Sequence, residues 1–265
     1  MTPISPQPPS SEKFGKVQKK ATKTKEALLQ AIKDGSKISF KRKAYSDFKK
    51  FLYKTHKFKC AYCETDIRNH SGDVEHYRPK SEIRKYDSNK KEDHPGYYWT
   101  AYDWQNFLLS CSDCNRRFKR CYFPISGERV VSHNTNVDLD EVEKPLILNP
   151  TKTDPKEHLS IDDTGSLIGL SEVGLTTIAV MDLDREYLIE KRQAAIERGN
   201  DAFKLLQDAI NEKNSTKIEA RKKNLRRIVF GADEFSLASA YGLLGAILNW
   251  QKHNNQSYDI NLALL

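Results

Sequence analysis

The sequence predicts an α+β protein, mainly helical. Three observations predict it. Two C-x-x-C pairs, Cys60/Cys63 and Cys111/Cys114, bracket a central stretch from Phe58 to Pro124 that contains a short alternating run, Asp73–Tyr77. Apolar residues at helical spacing precede that stretch, set among lysines. Long helix-forming runs follow it. The 265 residues suffice for one large domain or two modest ones. The chain divides into a basic N-terminal arm with helices (1–57), a central core (58–125) and a strand, hairpin and helical region (126–265), the last a candidate surface for a partner.

Residues 1–12 are rich in Pro and Ser and read as disordered or extended. A helix is expected over Phe14–Lys33, with Ala27, Leu28, Ala31 and Ile32 on one face and Gly35 as the stop. A second is expected over Phe40–His56, where Phe40, Ala44, Phe48, Phe51 and Leu52 form a stripe that suits core packing. The first 60 residues hold 16 Lys/Arg against 4 Asp/Glu, and the other 205 hold 28 against 32. A basic arm beside a site module suggests a polyanion partner; the plainer reading is a solvated lysine face. Apolar residues make up 38% of the chain, so a small core is expected. No run reaches the ~20 apolar residues of a membrane span, and Met1–Lys16 lacks a secretory pattern. A cytoplasmic protein without membrane contact is expected.

Beyond the core, Lys144–Asn149 (KPLILN) reads as a short buried strand. Leu159–Leu170 reads as a hairpin around Asp163-Thr164-Gly165. A helix should start near Ser171–Leu175, break at Asp182-Leu183-Asp184, and give way to a long helix over Arg185–Asn211. Thr216–Val229 is a basic helical run. Ser236–Lys252 is the most apolar helix, with small residues that suit close packing.

The cysteines carry the most specific signal. Two C-x-x-C pairs separated by 47 residues supply four thiolates, the soft tetrahedral set that structural zinc prefers. A lone C-x-x-C also suits dithiol redox chemistry; two copies around one segment favour zinc at Cys60, Cys63, Cys111 and Cys114. Cys121 reads as a packed thiol. Between the pairs, Glu75-His76 lies on the strand-like run, where adjacent side chains point to opposite faces. A kink would be needed to bring both to one centre. Arg78-Pro79-Lys80 follows, and Asn115 opens a further expected helix.

The succession C-x-x-C, VEHYRPK, WQNFLLSCSDCNRRFK resembles the HNH nuclease motif, the ββα-metal fold. YYWTAYDWQNFLLSCSDCNR with EKPLILNP and DPKEHL resembles, more narrowly, the HNH effectors of Septu-type and retron-linked antiphage systems. The resemblance covers about Phe58–Pro124 strongly and Glu143–Arg198 less so. It implies that His76 is the general base, Asn106 the brace of the loop, and Glu75 with Asn115 the ligands of a divalent ion. Glu75 stands where many such sites have Asp or His, and Asn115 where many have His. It also implies an ABC/SMC-like ATPase partner.

The chemistry accounts for these residue types. Phosphodiester hydrolysis needs a base for the attacking water, which a neutral imidazole supplies. It also needs a cation at the phosphate, here Mg²⁺ or Mn²⁺. Products with a 5′-phosphate and a 3′-hydroxyl are expected. Arg78, Lys80, Arg116, Arg117, Lys119 and Arg120 are expected to line a phosphate track that gives affinity with little sequence specificity. DNA is the favoured substrate, with RNA such as tRNA open. A zinc-stabilised nucleic-acid-binding module without catalysis is the alternative. His70, His94, His133, His158 and His253 read as surface or structural residues, and Ser81–Pro95 as a polar loop between base and brace.

Overall fold

The computed structural model describes residues 1–132, 137–230 and 235–254. About half of the chain is helical, and two small antiparallel sheets complete an α+β architecture. Helix α1, Glu12–Lys33, starts where Ser11 Oγ accepts the Phe14 N–H, with Glu12 in its first turn and Lys33 in its last, each suited to the helix dipole. Its buried residues Phe14, Ala21 and Leu28 are seven apart. This is a narrower stripe than the expected face: Ala27 is exposed. Residues 1–11 carry no regular secondary structure; their first residues dock, with Met1 buried and the Ile4 N–H donating to the Pro150 carbonyl at 2.8 Å.

The single helix expected over Phe40–His56 is two, α2 (Arg42–Ser46) and α3 (Lys49–Thr55). At their joint the Phe48 N–H reaches only to Tyr45, three residues back. This tightening keeps Ala44, Phe48, Phe51 and Leu52 all buried. Phe14 meets Phe48, Phe51 and Trp104 with ring centroids 5.1–5.6 Å apart, and Phe48 packs on Phe107. Each such ring contributes about 1.5–3 kcal/mol by leaving water, so α1 and α3 are anchored to the strand that Phe107 begins.

Strand β1, Asp73–His76, pairs antiparallel with β2, Phe107–Ser110, Glu75 facing Leu108 and His76 facing Phe107. A π-helix, Asp113–Lys119, follows β2. The segment Lys144–Asn149 is buried at Ile147 and Leu148 but is not a strand. Pro145 has no N–H for a ladder; only an isolated bridge joins it to Ile125, and the Leu148 N–H goes to Thr177 Oγ1. Just before it lies α4, Leu139–Glu143.

The hairpin forms as expected, from β3 (Leu159–Ile161) and β4 (Leu167–Gly169). Helix α5, Glu172–Met181, is capped by Ser171 Oγ and ends at Asp182 in the left-handed conformation. Helix α6, Glu186–Asn211, then packs against α7, Ser215–Phe230, and α8, Ser236–Asn254. A core cluster runs from Met1 through the central module to Ala195, Ile196 and Ala238. A second, with Phe203, Leu206, Leu225 and Leu243, holds α6, α7 and α8 together.

Candidate functional site

The four cysteines converge. Their Sγ atoms all lie within 4.8 Å of one another. The first knuckle is held to the sheet by the Ala61 N–H, which donates to the Leu109 carbonyl, and Glu64 closes its turn with φ of 63°. In the second, the Cys114 N–H points at Cys111 Sγ at 3.4 Å. A tetrahedron of ~2.3 Å metal–sulfur bonds has edges of about 3.8 Å; Cys63 and Cys111 are 3.7 Å apart. The donor set, three of its cysteines buried and Cys111 half-buried, fits a soft tetrahedral cation, and four thiolates could not share this space without one. Cys121 stands apart, its thiol directed at Glu82.

Arg185, which the sequence presents only as the start of a helix, reaches this cluster. Its Nη2 is 3.9 Å from Cys114 Sγ and its guanidinium lies 4.9 Å from the Phe118 ring centroid. Nη1 donates to the Met181 and Asp182 carbonyls. One side chain thus closes α5 and places positive charge beside the sulfurs, while the Arg185 carbonyl opens α6.

Glu75 and His76 end β1 and are both buried. The strand is regular through both, with no kink, so their side chains leave opposite faces. His76 sits between Tyr45 and Phe107, ring centroids 4.9 and 5.2 Å away. Its Nε2 is 3.0 Å from the Ala101 carbonyl, which can only accept, so Nε2 carries the proton and Nδ1 the lone pair. Burial, with the charges of Lys80 and Lys119, pushes its pKa down to about 3. The imidazole is neutral at neutral pH.

Glu75 faces Lys119. The ammonium is 2.6 Å from Oε1, a buried ion pair, and a carboxylate oxygen keeps a further lone pair beyond the one that faces the ammonium. Burial pushes the Glu75 pKa up, and Lys119 offsets part of the rise. Lys80 and Lys119 act electrostatically on both Glu75 and His76.

Asn106 is buried and fully used. Its Oδ1 accepts the Arg78 N–H at 2.8 Å, and Nδ2 is shared among the Arg78 carbonyl, the Thr100 carbonyl and Thr100 Oγ1. The amide pins the chain after His76 to the turn before β2. Asn115 is half-buried on the π-helix.

The six cations expected on a phosphate track separate. Arg78 is buried, bound to Glu143 and Asp140 and stacked among Tyr77, Tyr97 and Phe123. Lys119 is fully buried. Neither is on the surface, because each is consumed by a buried carboxylate. Arg116 is exposed but clamped bidentately to Asp73. Arg117 and Arg120 are exposed, lying over Phe118 and Tyr122, and Lys80 is half-buried beside Phe40 and Tyr45.

Of the other histidines, His94 is buried, hydrogen-bonded to Val130 and Gly96, His158 bonds Ser171, and His70 is exposed. His133 and the side chain of His253 lie outside the described residues. His56, unremarked in the sequence, accepts the Leu109 N–H and supports β2 from behind. The Ser81–Pro95 loop is pinned at Ile83, fully buried, and by Tyr86, whose hydroxyl donates to the Ala179 carbonyl.

Fold and site together define an α+β protein in which four converging cysteines, placed to hold a metal ion, join the two ends of a segment that contains a two-stranded sheet with a buried Glu75 and His76. Over 159 residues the chain is 40% identical to Septu protein PtuB of Bacillus mycoides (strain KBAB4), covering 58% of this chain and 52% of that protein. It is 30% identical over 144 residues to Septu protein PtuA of the same strain, 54% of this chain and 20% of that protein. The chain thus spans about half the length of PtuB and a fifth of PtuA, and its resemblance to a PtuB-type Septu protein is one of homology. No family model and no solved structure matches it.

Proposed function

We propose that this chain is a metal-dependent HNH endonuclease, the effector of a Septu-type antiphage system, working with an ABC/SMC-like ATPase. The observation that carries the reading is the docking of the π-helix on the end of β1: Lys119 contacts both Glu75 Oε1 and the His76 carbonyl. That contact seats the helix bearing Asn115 on the Glu75 side of the end of β1, in a strand–strand–helix order suited to a ββα-metal core. The relationship to PtuB supports the defence assignment.

In this reading the four cysteines hold zinc, which is closed to substrate and structural. Glu75 and Asn115 offer hard oxygens, one of them with an unsatisfied lone pair, and that donor set fits Mg²⁺ or Mn²⁺. A divalent ion there would stabilise charge on the phosphate and the departing oxygen. His76, its Nε2–H fixed by Ala101, takes the proton of the attacking water through Nδ1. In this reading the end of β1 must bend so that the imidazole and the Glu75 carboxylate meet one phosphate. An arriving phosphodiester anion would offset the two lysine charges and raise the basicity of the imidazole. Asn106 holds the backbone after His76 in register. Arg117, Arg120 and Lys80 are the cations free to meet phosphate.

The test is incubation of the zinc-loaded protein with plasmid DNA and, separately, total tRNA, with Mg²⁺ or Mn²⁺, beside a His76→Ala variant that retains zinc. Cutting of one polymer by the wild type alone supports the reading and names the substrate. No cutting, even with the neighbouring ATPase present, would favour a binding module without catalysis.

A further inference from the structure

We propose that Lys119 is the resident counter-cation of Glu75, and that it keeps the carboxylate from a divalent ion until an anionic substrate is in place. The inference rests on the nuclease reading of this site.

The Lys119 side chain has no exposed surface, and its Nζ lies 2.6 Å from Glu75 Oε1 and 3.1 Å from the His76 carbonyl. A fully buried ammonium is tolerable only beside an anion, and Glu75 is the carboxylate it meets. The π-helix makes the meeting possible. Its Arg120 N–H bonds back five residues to the Asn115 carbonyl, and Lys119, at the last position of the helix, sends its ammonium inward to the end of β1. Glu75, the carboxylate expected to hold the ion, therefore already faces a cation the chain itself supplies.

The ammonium and a divalent ion compete for one carboxylate. The carboxylate has lone pairs beyond the one that faces Nζ, and the His76 carbonyl offers the displaced ammonium an acceptor. A divalent ion placed next to a retained ammonium raises the local positive charge to three, and a phosphodiester lowers it again. Metal and substrate should bind cooperatively, with Lys119 as the source of the coupling.

The experiment is a Mn²⁺ titration of the full-length, zinc-loaded chain, read as loss of the free-ion electron paramagnetic resonance signal. Wild type is compared with Lys119→Gln, Glu75→Gln and the double variant; zinc content and circular dichroism report the fold. Lys119→Gln should bind Mn²⁺ at least about tenfold more tightly than wild type, and the double variant should lose that gain. Equal or weaker binding by Lys119→Gln, with Glu75-dependent binding in both proteins, would overturn the proposal alone. Absence of Glu75-dependent Mn²⁺ from every variant would sink the nuclease metal site, and the proposal with it. If Lys119→Gln does not fold, the wild type is titrated with and without a phosphorothioate form of the polymer it cuts. Tighter Mn²⁺ binding with the polymer supports the coupling, and unchanged affinity overturns it.

Discussion

Asn106 commits its whole amide to backbone and threonine partners, and this makes it sensitive to small changes. Asn106→Ala should lower stability by about 2–4 kcal/mol, since it strands the Arg78 N–H and the groups around Thr100 in a buried setting. Asn106→Asp should not restore it: the second oxygen would face the Arg78 and Thr100 carbonyls. Urea unfolding of the three proteins checks both statements. His76 and His56, both held neutral by burial at pKa values of about 3 and 4, give a pH prediction. Below about pH 6.5 the unfolded chain takes up protons at these positions and the folded chain does not. Their stabilisation is therefore complete above that pH and is lost as pH falls toward the folded values, by about 1.4 kcal/mol per pH unit for each histidine. Glu75, raised by burial, works in the opposite sense. The net slope of unfolding free energy between pH 7.5 and 5 should be positive with pH, and shallower in His76→Ala. Glu75, His76 and Asn106 were readable as a motif because their order along the chain is distinctive. The burial of Arg78 and Lys119 was not readable. A cation in a sequence looks the same whether it faces water or a carboxylate contributed from elsewhere in the fold, such as Glu143.

At the scale of elements, the knuckle and the sheet depend on each other: Ala61 bonds β2 directly, and the sulfurs join residues on both sides of a long excursion. Removing the ion with a chelator, or replacing Cys111 with Ser, should free both ends. Amide hydrogen exchange should then rise across Asp73–His76 and Phe107–Ser110 as well as at the cysteines; protection that persists in β2 would contradict this. Arg185 should slow release of the ion by neutralising thiolate charge, in the manner of outer-shell partners that typically alter metal affinity by roughly 10–100-fold. Arg185→Met should therefore release it faster to a colorimetric chelator, with the fold kept. The four cysteines were legible because their spacing signals convergence. Arg185 was not, because its partner lies 71 positions away and nothing in local pattern links them. The helix over Phe40–His56 was legible as an apolar stripe, while its division at Phe48 was not: one tightened turn preserves the stripe. The KPLILN segment looked like a strand because burial and β-strand share a composition, and Pro145 decided otherwise.

For the whole molecule, the basic arm of the sequence is part of the main core, with Phe14 and Phe48 packed on Trp104. Among the lysines of α1, Lys20 pairs with Asp47 and Lys25 with Asp103. The long C-terminal helices were legible in extent, but how they close on each other depends on two glycines. A Cβ at Gly199 would stand 2.1 Å from the Ser239 carbonyl, and one at Gly242 2.1 Å from that of Ile196. Helices α6 and α8 therefore meet backbone to backbone. Gly199→Ala should cost about 1–3 kcal/mol through forced separation, read as a lower thermal midpoint. Among the described residues no helix is long and apolar enough to cross a membrane. Helix α6 has 26 residues, a rod of about 39 Å. One end reaches the sulfur cluster through Arg185; its middle, at Ile196 and Gly199, meets α8 backbone to backbone with no room to slide. A shift of α8 should therefore carry α6 with it and move the Arg185 guanidinium against the sulfur atoms.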